Sequence, residues 1–377
     1  MYDFLIKNAR LSSKDFAIAD IAVSEGRICG VGKFSENAAK EVFDADSNFV
    51  MPAFLDIHFH GAAGADFCDA SSEGLEKICK AKLAEGAGAI VPATLSLPEN
   101  DIANALENAR AFTEAGENLC RIFGAHIEGP FINPQMTGAQ NPEYLKLPNI
   151  DFVKRLSEKF KLLKLSYAPE LGAEFSAQLL SLDIVPSCVH SAATYAQFMD
   201  AYACGLRNIS HFANRLTPIS SRDIGAMGAG LMLDDVFTEI IADGFHLSDD
   251  MLRLVLAKKP HSKIVLITDS MRASGMPEGA SELGGLKVFV SDGQARLANG
   301  ALAGSVLKMN EAVKKIMDIG GLALEDAAAM ASLNPAQSLG ISDYGKIEEG
   351  YLADFAVLDK NCNVLQTIVG GKIVYSK

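Results

Sequence analysis

The sequence predicts an α/β fold: a (β/α)8 TIM barrel joined to a small β-sandwich domain formed by the N- and C-terminal segments. Three observations predict it. From about residue 53 to 340, apolar β-rich runs alternate with amphipathic helical runs, the pattern of βα units around a parallel sheet. The two ends carry short β-like runs broken by Gly, Asp and Asn, which read as a sheet without crossover helices. The length, 377 residues at 49% hydrophobic and 21% charged content, suffices for one large core and a satellite.

In chain order, the N-terminal fifty residues hold FLIKNARL, IAVSEGRICGVG and EVFDADSNFVMP. The last stretch, KIEEGYLADFAVLDKNCNVLQTIVGGKIVYSK, has the same character, so residues 1–52 and 341–377 are expected to meet in one β domain. Residues 53–340 form the barrel. Its strand candidates are FLDIHFH, GAIVPAT, RIFGAHIEG, LLKLSYAPE, DIVPSCVH, LRNISHF, FTEIIAD and KIVLITDS. Between them DIANALENARAFTEAG, YAQFMDAYACG and DDMLRLVLAKK repeat apolar residues at helical spacing. After the eighth strand, GLKVFVSDGQARLANGALAGS reads as a hairpin insertion ahead of the last helices.

Composition narrows the function. A net charge of −13 repels nucleic acid and anionic membrane alike, so neither is expected as a partner, and an anionic substrate would need a local cationic pocket. Neither a signal-peptide pattern nor a membrane-spanning apolar run is visible. Seven scattered cysteines without C-x-x-C spacing read as reduced thiols of a cytoplasmic protein. Trp is absent, so any sugar-stacking surface would use Phe or Tyr.

The unusual residues fall at strand ends. His58 and His60 close the first strand, Glu128 the third, His190 the fifth and His211 the sixth; His246 follows the seventh and Asp269 ends the eighth. In a barrel these ends converge on one rim, where active sites sit. His-x-His on a strand aims both imidazoles at one face. A lone strand-end His is ordinarily a hydrogen-bonded core residue, but six of the seven histidines cluster this way. His261, in KKPHSK, is the exception and reads as a surface turn. His126 reads as a supporting residue, two before Glu128.

Imidazole with carboxylate suits a divalent metal, Zn2+ or Fe2+ before the all-oxygen-loving Mg2+ or Ca2+, with Mn2+ and Co2+ also compatible. Such an ion lowers the pKa of water to about 7 and makes hydroxide available. Asp269 is placed to take a proton from that water and return it to a leaving amine; its competing reading is a helix N-cap.

At this point the motifs resemble a known family. DIHFHG, GAHIEGPFINPQMTGAQNP, VHSAAT, HFANRLTP, IADGFH, LITDSM and NGALAGS, in this order, resemble the N-acetylglucosamine-6-phosphate deacetylases of the amidohydrolase superfamily. The resemblance implies hydrolysis of the acetamide of N-acetyl-D-glucosamine 6-phosphate. It implies that Glu128, His190 and His211 hold the main metal, that Asp269 is general base and acid, and that His58 and His60, kept in only some members, bring a second ion with Glu128 bridging. Asn214, the Arg215 backbone, Arg222 and His246 match positions that hold phosphate and sugar hydroxyls, and Ala139 and Leu302 match main-chain contacts. In several relatives Arg222 and His246 reach the neighbouring subunit's site, which implies a homodimer.

Two positions depart from the family. Gln140 stands where a His is usual; Gln donates a hydrogen bond but carries no proton. Arg215 stands where a small residue is common, and reads either as an extra phosphate contact or as a solvent-facing charge. Alternative readings are a deacylase for N-acetylgalactosamine 6-phosphate or another N-acyl amino sugar, a dihydroorotase-like or nucleobase enzyme, and a barrel scaffold without chemistry. No lysine follows a barrel strand as a carboxylated bridging Lys would, which weakens the dihydroorotase-like reading. All the metal positions and Asp269 are present, which weakens the scaffold reading.

Overall fold

The computed structural model describes residues 1–12, 17–116 and 119–377. The two ends of the chain share one eight-stranded sheet. Phe355–Leu358 runs antiparallel to Phe49–Pro52, with Phe355 opposite Pro52 and Leu358 opposite Phe49. The sheet branches at Tyr2–Arg10, which pairs with both Ile18–Ser24 and Ala39–Asp44. Phe4, Ile6, Val23, Val50, Phe355 and Ile368 are buried together in a core of their own. Strand Arg27–Gly32 alternates exposed and buried residues, as a strand with one solvated face must.

Between these ends lie eight parallel strands, labelled here β1 (Phe54–Asp56), β2 (Ala87–Ile90), β3 (Ala125–Glu128), β4 (Leu162–Tyr167), β5 (Val185–Cys188), β6 (Asn208–Ile209), β7 (Phe237–Ile241) and β8 (Ile264–Ile267). β1 pairs with β2, and β3 to β8 pair in sequence order. A parallel bridge between Ala93 and His126 links the two arrays. Past the other edge, the Asp269 N–H donates to the His58 carbonyl at 2.9 Å and the His60 N–H to the Ser270 carbonyl at 2.8 Å. Each of the eight strand candidates of the sequence therefore contributes a strand to this array, most of them shorter than their apolar runs. Nearly every residue in these strands is buried, as parallel strands covered on both faces require.

The helices cover the outside. Asp249–Lys258 shows why they form: Ser248 caps the Met251 N–H, Asp249 and Asp250 sit in the first turn, Lys258 in the last, and Leu252 and Val255 are buried. Charges of that order suit the helix dipole, and the apolar stripe packs inward. None of the described helices is long and apolar enough to cross a membrane.

One expectation needs correction and another is extended. RIFGAHIEG is not one strand: Arg121–Ile122 pairs with β2 and Ala125–Glu128 with β4. The chain changes neighbours at Gly124, where a Cβ would lie 2.8 Å from the Lys161 carbonyl oxygen. The insertion after β8 holds the expected hairpin, Leu286–Ser291 against Gln294–Leu297, and a strand ahead of it, Gly279–Leu283, extends it to a three-stranded antiparallel sheet. Its first turn is Gly284–Gly285, both at positive φ, the conformation of a tight two-residue hairpin. Leu283, Val288 and Val290 pack with Leu95 and Met271, which seats the small sheet over the strand ends.

Candidate active site

The carboxyl ends of the parallel strands open into a chamber of about 480 Å³. His60, Glu128, His190, His211, His246 and Asp269 all line it, and His58 lies fully buried just beneath. Each except Glu128 stands past the last paired residue of its strand. His190, His211 and Asp269 adopt positive φ, at 43°, 27° and 49°. Backbone strain at three candidate site positions is the kind that packing sustains around a functional site.

Glu128 is the hub. Its Oε1 lies 3.1 Å from His211 Nε2, 3.3 Å from His190 Nε2 and 3.5 Å from His58 Nε2. Its Oε2 lies 3.2 Å from His60 Nε2 and accepts a 2.9 Å hydrogen bond from Gln140 Nε2. Asp269 Oδ1 is 3.3 Å from His60 Nε2 and 4.0 Å from His58 Nε2. Ligand atoms of His58, Glu128 and His211 form one compact group, and those of His58, His60 and Asp269 a second, each within 4.8 Å. His190 joins through Glu128 but belongs to neither group.

This donor set fits a divalent metal. His58 Nε2 is buried beside two carboxylates yet has no hydrogen-bond partner, the situation of a ligand nitrogen. Its Nδ1 is 2.9 Å from Glu239 Oε2, and His190 Nδ1 is 2.6 Å from the Met136 carbonyl. Acceptors there place the proton on Nδ1 and leave Nε2 free to coordinate.

The electrostatics agree. Burial disfavours a charged His58, but Glu128 and Glu239 outweigh it and raise its pKa to about 9. Burial would also raise Asp269, yet the hydrogen bond from His60 and the charge of His58 hold it below its ordinary value. Glu128 is likewise held well down against its burial, chiefly by His58, His190 and His211. Both carboxylates are thus charged at neutral pH, with protonated His58 and His60 as their cationic complement in the metal-free site, a charge that a divalent ion would take over as it displaces the protons.

The remaining expected residues divide. Ala139, Gln140, Asn214, Arg215 and Leu302 line the chamber. His246 lines it too, in its own chain, with Nδ1 2.7 Å from Asp243 Oδ2. Arg222 does not: it stands on an exposed loop. His126 lies under the chamber floor, 2.7 Å from Ser166 Oγ; burial and nearby Lys164 push its pKa well down, so it is neutral. His261 is exposed, its Nε2 facing the Leu256 carbonyl.

Four neighbours of the candidate site went unread in the sequence. Lys164 and Glu239 meet inside the strands and Arg296 lines the chamber. Glu170 accepts from Ser191 Oγ and the Ala192 N–H, both at 2.6 Å, and braces the loop after His190. A signal existed for two of them: Lys164 and Glu239 are charges inside apolar strand runs, where a charge is costly unless paired.

With this geometry in place, comparison with known proteins assigns a class. Residues 49–374 match the amidohydrolase family, and the chain belongs to it. Among curated relatives, an N-acetylglucosamine-6-phosphate deacetylase of Lysinibacillus sphaericus is 32% identical over 358 residues, 94% of this chain and 92% of that protein. An N-acetylgalactosamine-6-phosphate deacetylase of Escherichia coli O157:H7 is also 32% identical, over 94% of each chain. The crystal structure of N-acetylglucosamine-6-phosphate deacetylase from Thermotoga maritima superposes with a TM-score of 0.90 at 33% identity, covering 99% of this chain and 100% of that one.

Proposed function

We propose that the chain hydrolyses the acetamide of N-acetyl-D-glucosamine 6-phosphate to D-glucosamine 6-phosphate and acetate. The observation that carries this reading is a Glu128 carboxylate within reach of four imidazoles, with Asp269 beside them at the floor of one chamber. His58, His60, Glu128, His190 and His211 hold one or two divalent ions, Zn2+ or Fe2+ first, Mn2+ or Co2+ as alternatives. When bound, such an ion supplies Lewis acidity and lowers the pKa of water.

Asp269 starts unprotonated, held so by His60 and His58. It takes the proton of the attacking water and passes it to the amide nitrogen as the C–N bond breaks, releasing acetate and the free amine. Gln140 gives one N–H to Glu128 and accepts the Ser96 N–H at 2.7 Å, so its amide is fixed. Its second N–H remains for the substrate. Asn214, Arg215 and His246, with the backbone at Ala139 and Leu302, form the sugar-phosphate end, where a guanidinium suits an oxyanion.

Arg222, outside its own chain's chamber, serves the site of a second copy in a homodimer. The scaffold is a closed (β/α)8 barrel at residues 53–340, with residues 1–52 and 341–377 as a β-sandwich. The seven free cysteines accord with the cytoplasm.

A second reading, the galactosamine epimer, is favoured by the equal identity to the Escherichia coli relative. The deciding experiment counts metal per chain. It then measures acetate release from N-acetylglucosamine 6-phosphate, N-acetylgalactosamine 6-phosphate and unphosphorylated N-acetylglucosamine. Fast turnover of the first alone supports the reading. Preference for the second shifts the epimer, and slow turnover of all three with metal bound rejects both sugars.

A further inference from the structure

Behind His58, inside the parallel strands, lie two charges that the proposed reaction leaves unused. Glu239 on β7 and Lys164 on β4 have side chains 1% and 0% exposed, and neither lines the chamber. One Glu239 oxygen accepts from His58 Nδ1 at 2.9 Å, and the other accepts from the Lys164 ammonium. β4 and β7 are not neighbours in the sheet, so the pair spans the interior. A buried ion pair is no better for stability than apolar side chains of similar volume, so folding alone does not account for it.

We propose that Glu239 and Lys164 are positioning residues that raise the metal affinity of the ligand set containing His58. This rests on the metal-dependent reading above. A carboxylate accepts and never donates, so Glu239 fixes the His58 proton on Nδ1 and locks the ring with Nε2 toward Glu128 and Asp269. It also makes that nitrogen a stronger donor to metal. Lys164 makes this arrangement sustainable, because a third buried anion beside Glu128 and Asp269 would otherwise stand unpaired. The orphaned His58 Nε2 is the atom the device presents.

The test is Zn2+ binding, measured by titrating chelator-stripped protein in competition with a chromophoric chelator. Removing one charge alone would strand the other, so both are changed together. Lys164→Met with Glu239→Leu should bind the ion served by His58 roughly 10–100-fold more weakly. Lys164→Met with Glu239→Gln keeps an acceptor for Nδ1 and should lose less, about 10-fold, the low end of that range of outer-shell effects. Thermal midpoints of the stripped proteins report whether each variant is folded. A folded double variant of either kind that titrates like the unaltered protein overturns the inference. Unaltered protein that takes up no Zn2+ overturns the metal reading instead, so the two failures are told apart.

Discussion

A single carboxylate, Glu128, meets five side chains with its two oxygens, and the geometry of the candidate site is set by how those five are held. Asp269 is the proposed proton carrier, and that role can be separated from metal ligation. Asp269→Asn should retain its metal and lose several orders of magnitude in kcat, because the amide cannot accept the proton; metal loss in elemental analysis would make Asp269 a structural ligand instead. His58 gives a pH dependence. Its folded pKa is about 9 against an ordinary 6.5, so its contribution to the stability of the metal-free protein is full below about pH 6.5 and fades as pH rises through about 9. Chelator-treated protein should therefore show a falling Tm across that window, and metal-loaded protein should not; parallel curves would refute the assignment. His58 and His60, Glu128 and Asp269 were legible as candidate ligands and a candidate base from residue type and their places at strand ends. The Gln140 grip on Glu128 was not, because it depends on a loop folding back over twelve residues.

At the scale of elements, strands place these groups by ending. The chain leaves β3 at Gly129, with φ +77° and room for no side chain: a Cβ would stand 2.2 Å from Ser96 Oγ. Gly129→Ala should cost about 1–3 kcal/mol through backbone strain, read as a lower denaturation midpoint, and should weaken metal binding because Glu128 precedes it. An unchanged midpoint would show that the loop relaxes freely. Apolar runs revealed all eight parallel strands but not their lengths, since burial continues past the last paired residue into His58, His190 and His211. The change of neighbours at Gly124 and the third strand of the insertion escaped notice for a related reason. A glycine signals a turn, but which strand comes next is decided by what lies beside it.

At the scale of the molecule, the chamber is closed on one side by the inserted sheet, through Leu283 and Arg296, and by Leu302 in the segment that follows it. Arg222 lies away from it. If Arg222 acts in a partner's chamber, Arg222→Met should raise KM for a phosphorylated sugar while barely changing turnover of unphosphorylated N-acetylglucosamine. Delivery between subunits has its own signature. Hybrids of Arg222→Met with Asp269→Asn should recover low-KM activity that neither parent has, because one of their two sites is intact. Hybrids no better than the parents would place Arg222 within its own subunit or outside the site.

The sequence by itself determined the alternation of strands and helices, the terminal β segments and the residue types at the strand ends. Periodicity, turn residues and ligand chemistry are local properties that a linear chain displays. Only the tertiary structure decided that His58 is shared by two ligand groups, that Gln140 and Glu239 hold Glu128 and His58, and that His246 faces its own chamber while Arg222 does not. Such contacts join residues as far apart as His58 and Glu239, 181 positions along the chain. They exist because parallel strands bring their carboxyl ends to one place, and no spacing in sequence encodes the distance between them.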